Sequence, residues 1–108
     1  MTIYQRLAPR ARTVIFAATT PVPDIPTSLG RTYAAAVAYN SEAVSALKAA
    51  VGPSLLVDDL WAAMIGYCGA NYTSCALQLP ANVHLEPAGQ VFLGNIVANS
   101  VLAALRMA

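Results

Sequence analysis

Thr13-Val14-Ile15-Phe16-Ala17-Ala18 is the stretch on which the fold turns. Val14, Ile15 and Phe16 stand in succession, with no polar residue between them. A short apolar run without alternation reads as a strand covered on both faces, the situation of a parallel sheet. Thr19-Thr20-Pro21-Val22-Pro23-Asp24-Ile25-Pro26 follows directly, and its prolines impose an extended, stiff loop. On the other side, residues Met1 to Ala11 read as the tail of an earlier element. Ile3, Tyr4 and Leu7 fall at helical spacing, and Pro9 stops them.

The second half of the unit comes after a helix expected from about Arg31 to Val51. Tyr33, Val37, Asn40, Val44, Leu47 and Val51 make one face of it, and Ser41, Glu42, Ser45 and Lys48 fill the other. Gly52-Pro53 ends it. Ser54-Leu55-Leu56-Val57 is a second short apolar run, read as a second strand. Asp58 or Asp59 caps a further helix from about Leu60 to Tyr67, the less common use of either being a carboxylate presented at a strand end. Cys68 to Glu86 reads as a long loop, and a final helix runs from about Pro87 to Met107. Its core face is expected along Val91, Gly94, Val97, Val101 and Leu105, widened by Leu93, Ile96 and Leu102. Strand, helix, strand is a βαβ unit with a right-handed crossover by default. Two parallel strands leave their outer edges unpaired, so the physical reading is the last third to half of an open α/β domain. Functional loops in such a domain lie at the carboxyl ends of the strands.

The composition agrees. The 108 residues are enough for one modest domain; 57% are hydrophobic and only 10% charged, far below the usual quarter. A surface so poor in charge means a chain that is nearly all core, or one whose apolar faces something else covers. Net charge is +1, and Arg6, Arg10 and Arg12 are too few and too local for a nucleic-acid footprint. No glycine-rich phosphate loop occurs, and no cofactor is implied. No segment approaches the roughly 18 apolar residues a membrane span needs, so no transmembrane segment is expected; Leu60 to Ala70 comes nearest. The arginines before Thr13 to Ala18 imitate a signal peptide. Pro9 and the better use of that run as a strand argue against one.

Cys68 and Cys75 fit no paired zinc-ligand spacing, and no metal site is expected. Between them, Asn71-Tyr72-Thr73 is an N-glycosylation acceptor sequence. Together they suggest a disulfide-closed surface loop made in an oxidising compartment, with Cα atoms within about 7 Å. The alternative is two unpaired thiols beside a chance acceptor sequence.

The only histidine lies in Asn82-Val83-His84-Leu85-Glu86-Pro87-Ala88-Gly89, immediately before the last helix. Pro87 suits a first helical position, where its missing N–H has no partner to lose. Held there, His84 faces a pocket and changes protonation near neutral pH, or it is a polar loop residue that helps cap the helix.

Taken in order, Ala18-Thr19-Thr20-Pro21-Val22-Pro23, Tyr39-Asn40-Ser41-Glu42-Ala43, Val57-Asp58-Asp59-Leu60-Trp61, Cys68-Gly69, Cys75, Leu77-Gln78, Val83-His84-Leu85 and Ala88-Gly89 resemble the C-terminal half of SGNH hydrolases, the GDSL-type esterases and lipases. The resemblance covers nearly all of the chain from about residue 13. It implies that residues 1–108 are the C-terminal part of a flavodoxin-like three-layer α/β/α domain that hydrolyses carboxylic esters. In that family a serine near the N-terminus is the nucleophile, a glycine and an asparagine help form the oxyanion hole, and a histidine near the C-terminus is the general base. His84 corresponds to that histidine.

Two departures accompany the match. The family's aspartate three residues before the histidine is replaced by Ala81, which leaves a backbone carbonyl, or remotely Asp58 or Asp59, to orient the imidazole. None of Ser28, Ser41, Ser45, Ser54, Ser74 and Ser100 sits in a Gly-Asp-Ser setting, and no Gly-x-Asn-Asp block occurs. A serine esterase needs nucleophile, base and oxyanion donors together. The resemblance therefore implies that the chain supplies a general base to an ester-hydrolysing domain completed by an N-terminal half. The alternative is a degenerate, non-catalytic secreted module kept for binding.

Overall fold

Ile15–Ala17 (β1) and Leu56–Asp58 (β2) pair in parallel, with Ile15 opposite Leu56, Phe16 opposite Val57 and Ala17 opposite Asp58. The computed structural model describes residues 2–23, 31–69, 72 and 75–107. Around the two strands run a short helix α1 (Ile3–Leu7), a 3₁₀ turn (Ala8–Arg10), α2 (Tyr33–Val51), a second 3₁₀ turn (Gly52–Ser54), α3 (Leu60–Cys68) and α4 (Pro87–Met107). The chain is thus mixed α/β, dominated by helix, with a minimal parallel sheet.

The local sequence accounts for most boundaries. Thr2 and Gln5 close a reciprocal capping box on α1, at 2.8 and 3.2 Å. Thr32 caps α2 by accepting the Ala35 N–H, which leaves Arg31 and Thr32 outside the helix. Gly52 ends α2 at φ 74°, a left-handed backbone that glycine adopts without strain. The strands are shorter than the apolar runs suggested. The 3₁₀ turn at Gly52–Ser54 takes up Ser54 and Leu55, whose N–H returns to the Gly52 carbonyl. With no partner beyond Leu56, Thr13 and Val14 fall outside the ladder.

The core lies between α3, the segment before α4, and α4 itself. Met64, Leu77 and Leu93 are buried together, and Leu60, Leu85, Phe92 and Ile96 pack around them. Of the expected face of α4, Leu93 and Ile96 meet this core, and the central row does not. Gly89, Leu93 and Ala104 are buried, whereas Val91 and Leu105 are 65% and 66% exposed, and Val97, Val101 and Leu102 also face outward. The helix is apolar nearly all round, so periodicity could not select a side. Gly89 faces the structure where a Cβ would meet the Leu77 backbone, so close approach needs a glycine there.

By length and composition alone, α4 suffices to cross a membrane: 21 residues, with a window of mean hydropathy 1.5 that is 17% buried. This corrects the expectation that no segment of such length is apolar enough: Gln90, Asn95 and Asn99 do not bring the window below that hydropathy. Within the structure the same helix packs on β2 and α3.

Cys68 and Cys75 form a disulfide, with Cα atoms 5.3 Å apart. The bridge ties the end of α3 to the segment that carries His84. Reduction, or Cys75→Ser, is expected to lower unfolding free energy by about 2–3 kcal/mol, the chain-entropy value for so short a loop. Urea midpoints with and without a reductant read this directly. Asn71, the acceptor of the glycosylation sequence, lies outside the described residues.

Candidate functional site at the carboxyl ends of the strands

Both strands end on the same side, and the loops leaving them are fastened there. Ala18, just beyond β1, is buried and donates its N–H to the Asp58 carbonyl at 2.9 Å. The next residue is anchored to α2 by a pair of bonds. The Thr19 N–H donates to Asn40 Oδ1 at 2.8 Å, and Asn40 Nδ2 donates to the Thr19 carbonyl at 2.9 Å. Asn40 therefore sits in the expected face of α2 as a backbone clamp, which explains a polar residue in an otherwise apolar row. Asp58 closes β2 and is 4% exposed.

The segment before α4 is more ordered than a loop. Gln78 and Leu85 form an antiparallel bridge. The Leu79 N–H donates to the His84 carbonyl, and the Glu86 N–H to the Leu77 carbonyl, both at 3.0 Å. The chain reverses at Ala81, whose φ of 48° is left-handed and uncommon for a residue with a Cβ. His84 lies on the return arm of this turn, exposed, with its own N–H on Asn82 Oδ1 at 3.0 Å.

One long-range contact decides where the turn sits. The Gln78 side-chain amide donates to the Pro21 carbonyl, in the loop leaving β1, and to the Asn82 carbonyl. The loop after β1 and the His84 turn are thereby joined at the carboxyl end of the sheet. Gln78 was not singled out as a site residue from the sequence. It lies between apolar neighbours, and nothing local indicates a partner 57 residues away.

The carboxylates do not take the place left by Ala81. Asp59 caps α3, accepting the Ala62 N–H at 2.9 Å. Among the described residues, no side chain is hydrogen-bonded to the His84 imidazole. Asp59→Ala is expected to cost about 1 kcal/mol, as loss of a helix cap does. A thermal melt measures it; a loss several times larger would mean that Asp59 does more than cap.

Nor does a serine. Ser28 and Ser74 lie outside the described residues. Ser54 donates to the Val51 carbonyl, and Ser100 belongs to α4. Ser41 and Ser45 line a cleft of about 480 Å³ between α2 and the end of β2, together with Asn40, Lys48, Asp59 and Trp61. His84 does not line that cleft. Among the described residues, no three His, Cys, Asp or Glu side chains gather as a metal site.

Comparison with known proteins finds no matching family model, no matching curated protein and no matching solved structure.

Proposed function

We propose that this chain is the C-terminal part of an SGNH-type serine esterase with a flavodoxin-like α/β/α domain, and that His84 is its general base. The observation that carries the reading is the join made by Gln78, which holds the His84 turn against the loop leaving β1. Ligand and catalytic groups in open α/β sheets collect at the carboxyl ends of the strands. The ordered set of residues from Ala18 to Gly89 supports the same reading.

The nucleophile would come from an N-terminal half. Among the described residues β1 has only β2 beside it, and an apolar groove of about 370 Å³ opens next to it, lined by Ile3, Leu7, Val14, Phe16, Leu47 and Leu55. A parallel sheet in α/β proteins is covered on both faces and extends over several strands. A further parallel strand with its helix would satisfy the free edge and fill the groove.

In the completed site, His84 takes the proton from the serine hydroxyl as it attacks the ester carbonyl. The same imidazolium then gives the proton to the departing alkoxide, and a water repeats the sequence to release the acid. Backbone and amide donors from the N-terminal half would hold the oxyanion. The substrate class is a carboxylic ester, such as an acylated carbohydrate or lipid. With no aspartate at Ala81, the base works as the second member of a serine–histidine dyad, its loop fixed through the backbone.

That no side chain among the described residues is hydrogen-bonded to the His84 imidazole favours a second reading, a non-catalytic module kept for binding. Coding sequence upstream separates the two. An in-frame Gly-Asp-Ser block about half a domain earlier is the expected result; stop codons in its place remove the support for the esterase.

A further inference from the structure

We infer that Gln78 is the positioning residue for His84, and that it is kept as glutamine for its two N–H donors. The inference rests on the reading of His84 as the general base. Gln78 is 4% exposed, so its amide has been taken out of water. Nε2 is spent on two carbonyls, that of Pro21 at 3.4 Å and that of Asn82. Oε1 is buried and accepts no hydrogen bond among the described residues. Turning the amide over would not help, because the oxygen would then face both carbonyl oxygens.

A buried amide that leaves its acceptor unused is a poor choice for packing alone. A leucine of similar volume would fill the space without an unmet oxygen. The gain lies in what the two donors connect. Asn82 receives one of them on its backbone and holds the His84 N–H with its side chain at 3.0 Å. Pro21 receives the other and has no N–H with which to organise the loop in a different way. The path from the end of β1 to the backbone of His84 is therefore Pro21, Gln78, Asn82, His84. Gln78 itself is set by its own N–H on the Cys75 carbonyl, beside the disulfide, and by its bridge to Leu85. It also lies next to Leu77, the residue against which α4 starts. In this arrangement a side chain replaces the anchoring that the missing acid at Ala81 does not give. It acts on the loop and not on the ring.

Amide hydrogen exchange in the full 108-residue chain tests this without calling on catalysis. In Gln78→Leu, exchange at His84 and Leu79 is expected to quicken about tenfold, the effect of losing a typical buried hydrogen bond. The ¹H–¹⁵N resonance of His84 should move toward its random-coil position. The Ala18 amide, which is bonded between the strands, should exchange as before. Gln78→Glu keeps the shape but offers no donor when ionised, and should repeat the pattern at neutral pH. Unchanged exchange at His84 in both variants would overturn the inference. So would uniform acceleration that includes Ala18, the mark of a residue that only supports the fold. Failure of the esterase reading shows elsewhere, as absence of turnover when an N-terminal half is supplied, and leaves the exchange pattern untouched.

Discussion

Purified alone, the chain will not hydrolyse p-nitrophenyl esters faster than free imidazole. His84 is exposed and can accept a proton, but among the described residues no serine is hydrogen-bonded to it. Each oxyanion donor lost typically costs about a hundred- to a thousandfold in rate, and loss of the nucleophile in a serine hydrolase costs about a millionfold. An imidazole on its own has nothing to add to these. The chain should also tend to aggregate, because among the described residues nothing pairs with the outer edge of β1, beside an apolar groove. Adding an N-terminal half that carries Gly-Asp-Ser is expected to raise both solubility and turnover, by about 10⁴-fold or more in rate. His84→Ala should then remove the gain. Saturable turnover by the isolated chain, blocked by a fluorophosphonate, would contradict this and reveal a nucleophile among the chain's own serines.

Gly89→Ala is expected to be the most damaging single-methyl change. A Cβ at Gly89 would overlap the Leu77 carbonyl oxygen and stand 2.9 Å from the carbonyl carbon. The neighbour is backbone and cannot swing aside as a side chain does. The first turn of α4 would have to lift away from Leu77, straining the bond from the Glu86 N–H to the Leu77 carbonyl. Overpacking of this kind, with one hydrogen bond weakened, costs about 3–4 kcal/mol. That is a large part of the 5–15 kcal/mol that stabilises an ordinary domain. Gly94→Ala is the control on the same helix. Its Cβ would meet nothing within 4 Å, so better helix propensity should stabilise the chain by about 0.5–1 kcal/mol. Equal urea midpoints for the two variants would show that the contact under Gly89 is not a constraint.

The sequence by itself determined the kinds of element and their order. Short apolar runs without alternation became parallel strands, and a cap at Asp59 and a stop at Gly52 bounded helices. Pro87 started the last helix, and the two cysteines paired. These outcomes depend on neighbours in the chain, whose preferences are local. Tertiary structure decided the rest. It chose the side of α4 that is buried, because a helix apolar nearly all round carries little periodic signal. It shortened the strands to three residues each, because a ladder extends only as far as its partner. It turned the segment from Cys75 to Glu86 into a pinned turn, through bonds that link residues far apart in sequence. Gln78 is the clearest case. Its neighbours are apolar, its partner Pro21 is 57 residues away, and only the folded chain brings the donor to the carbonyl that needs it.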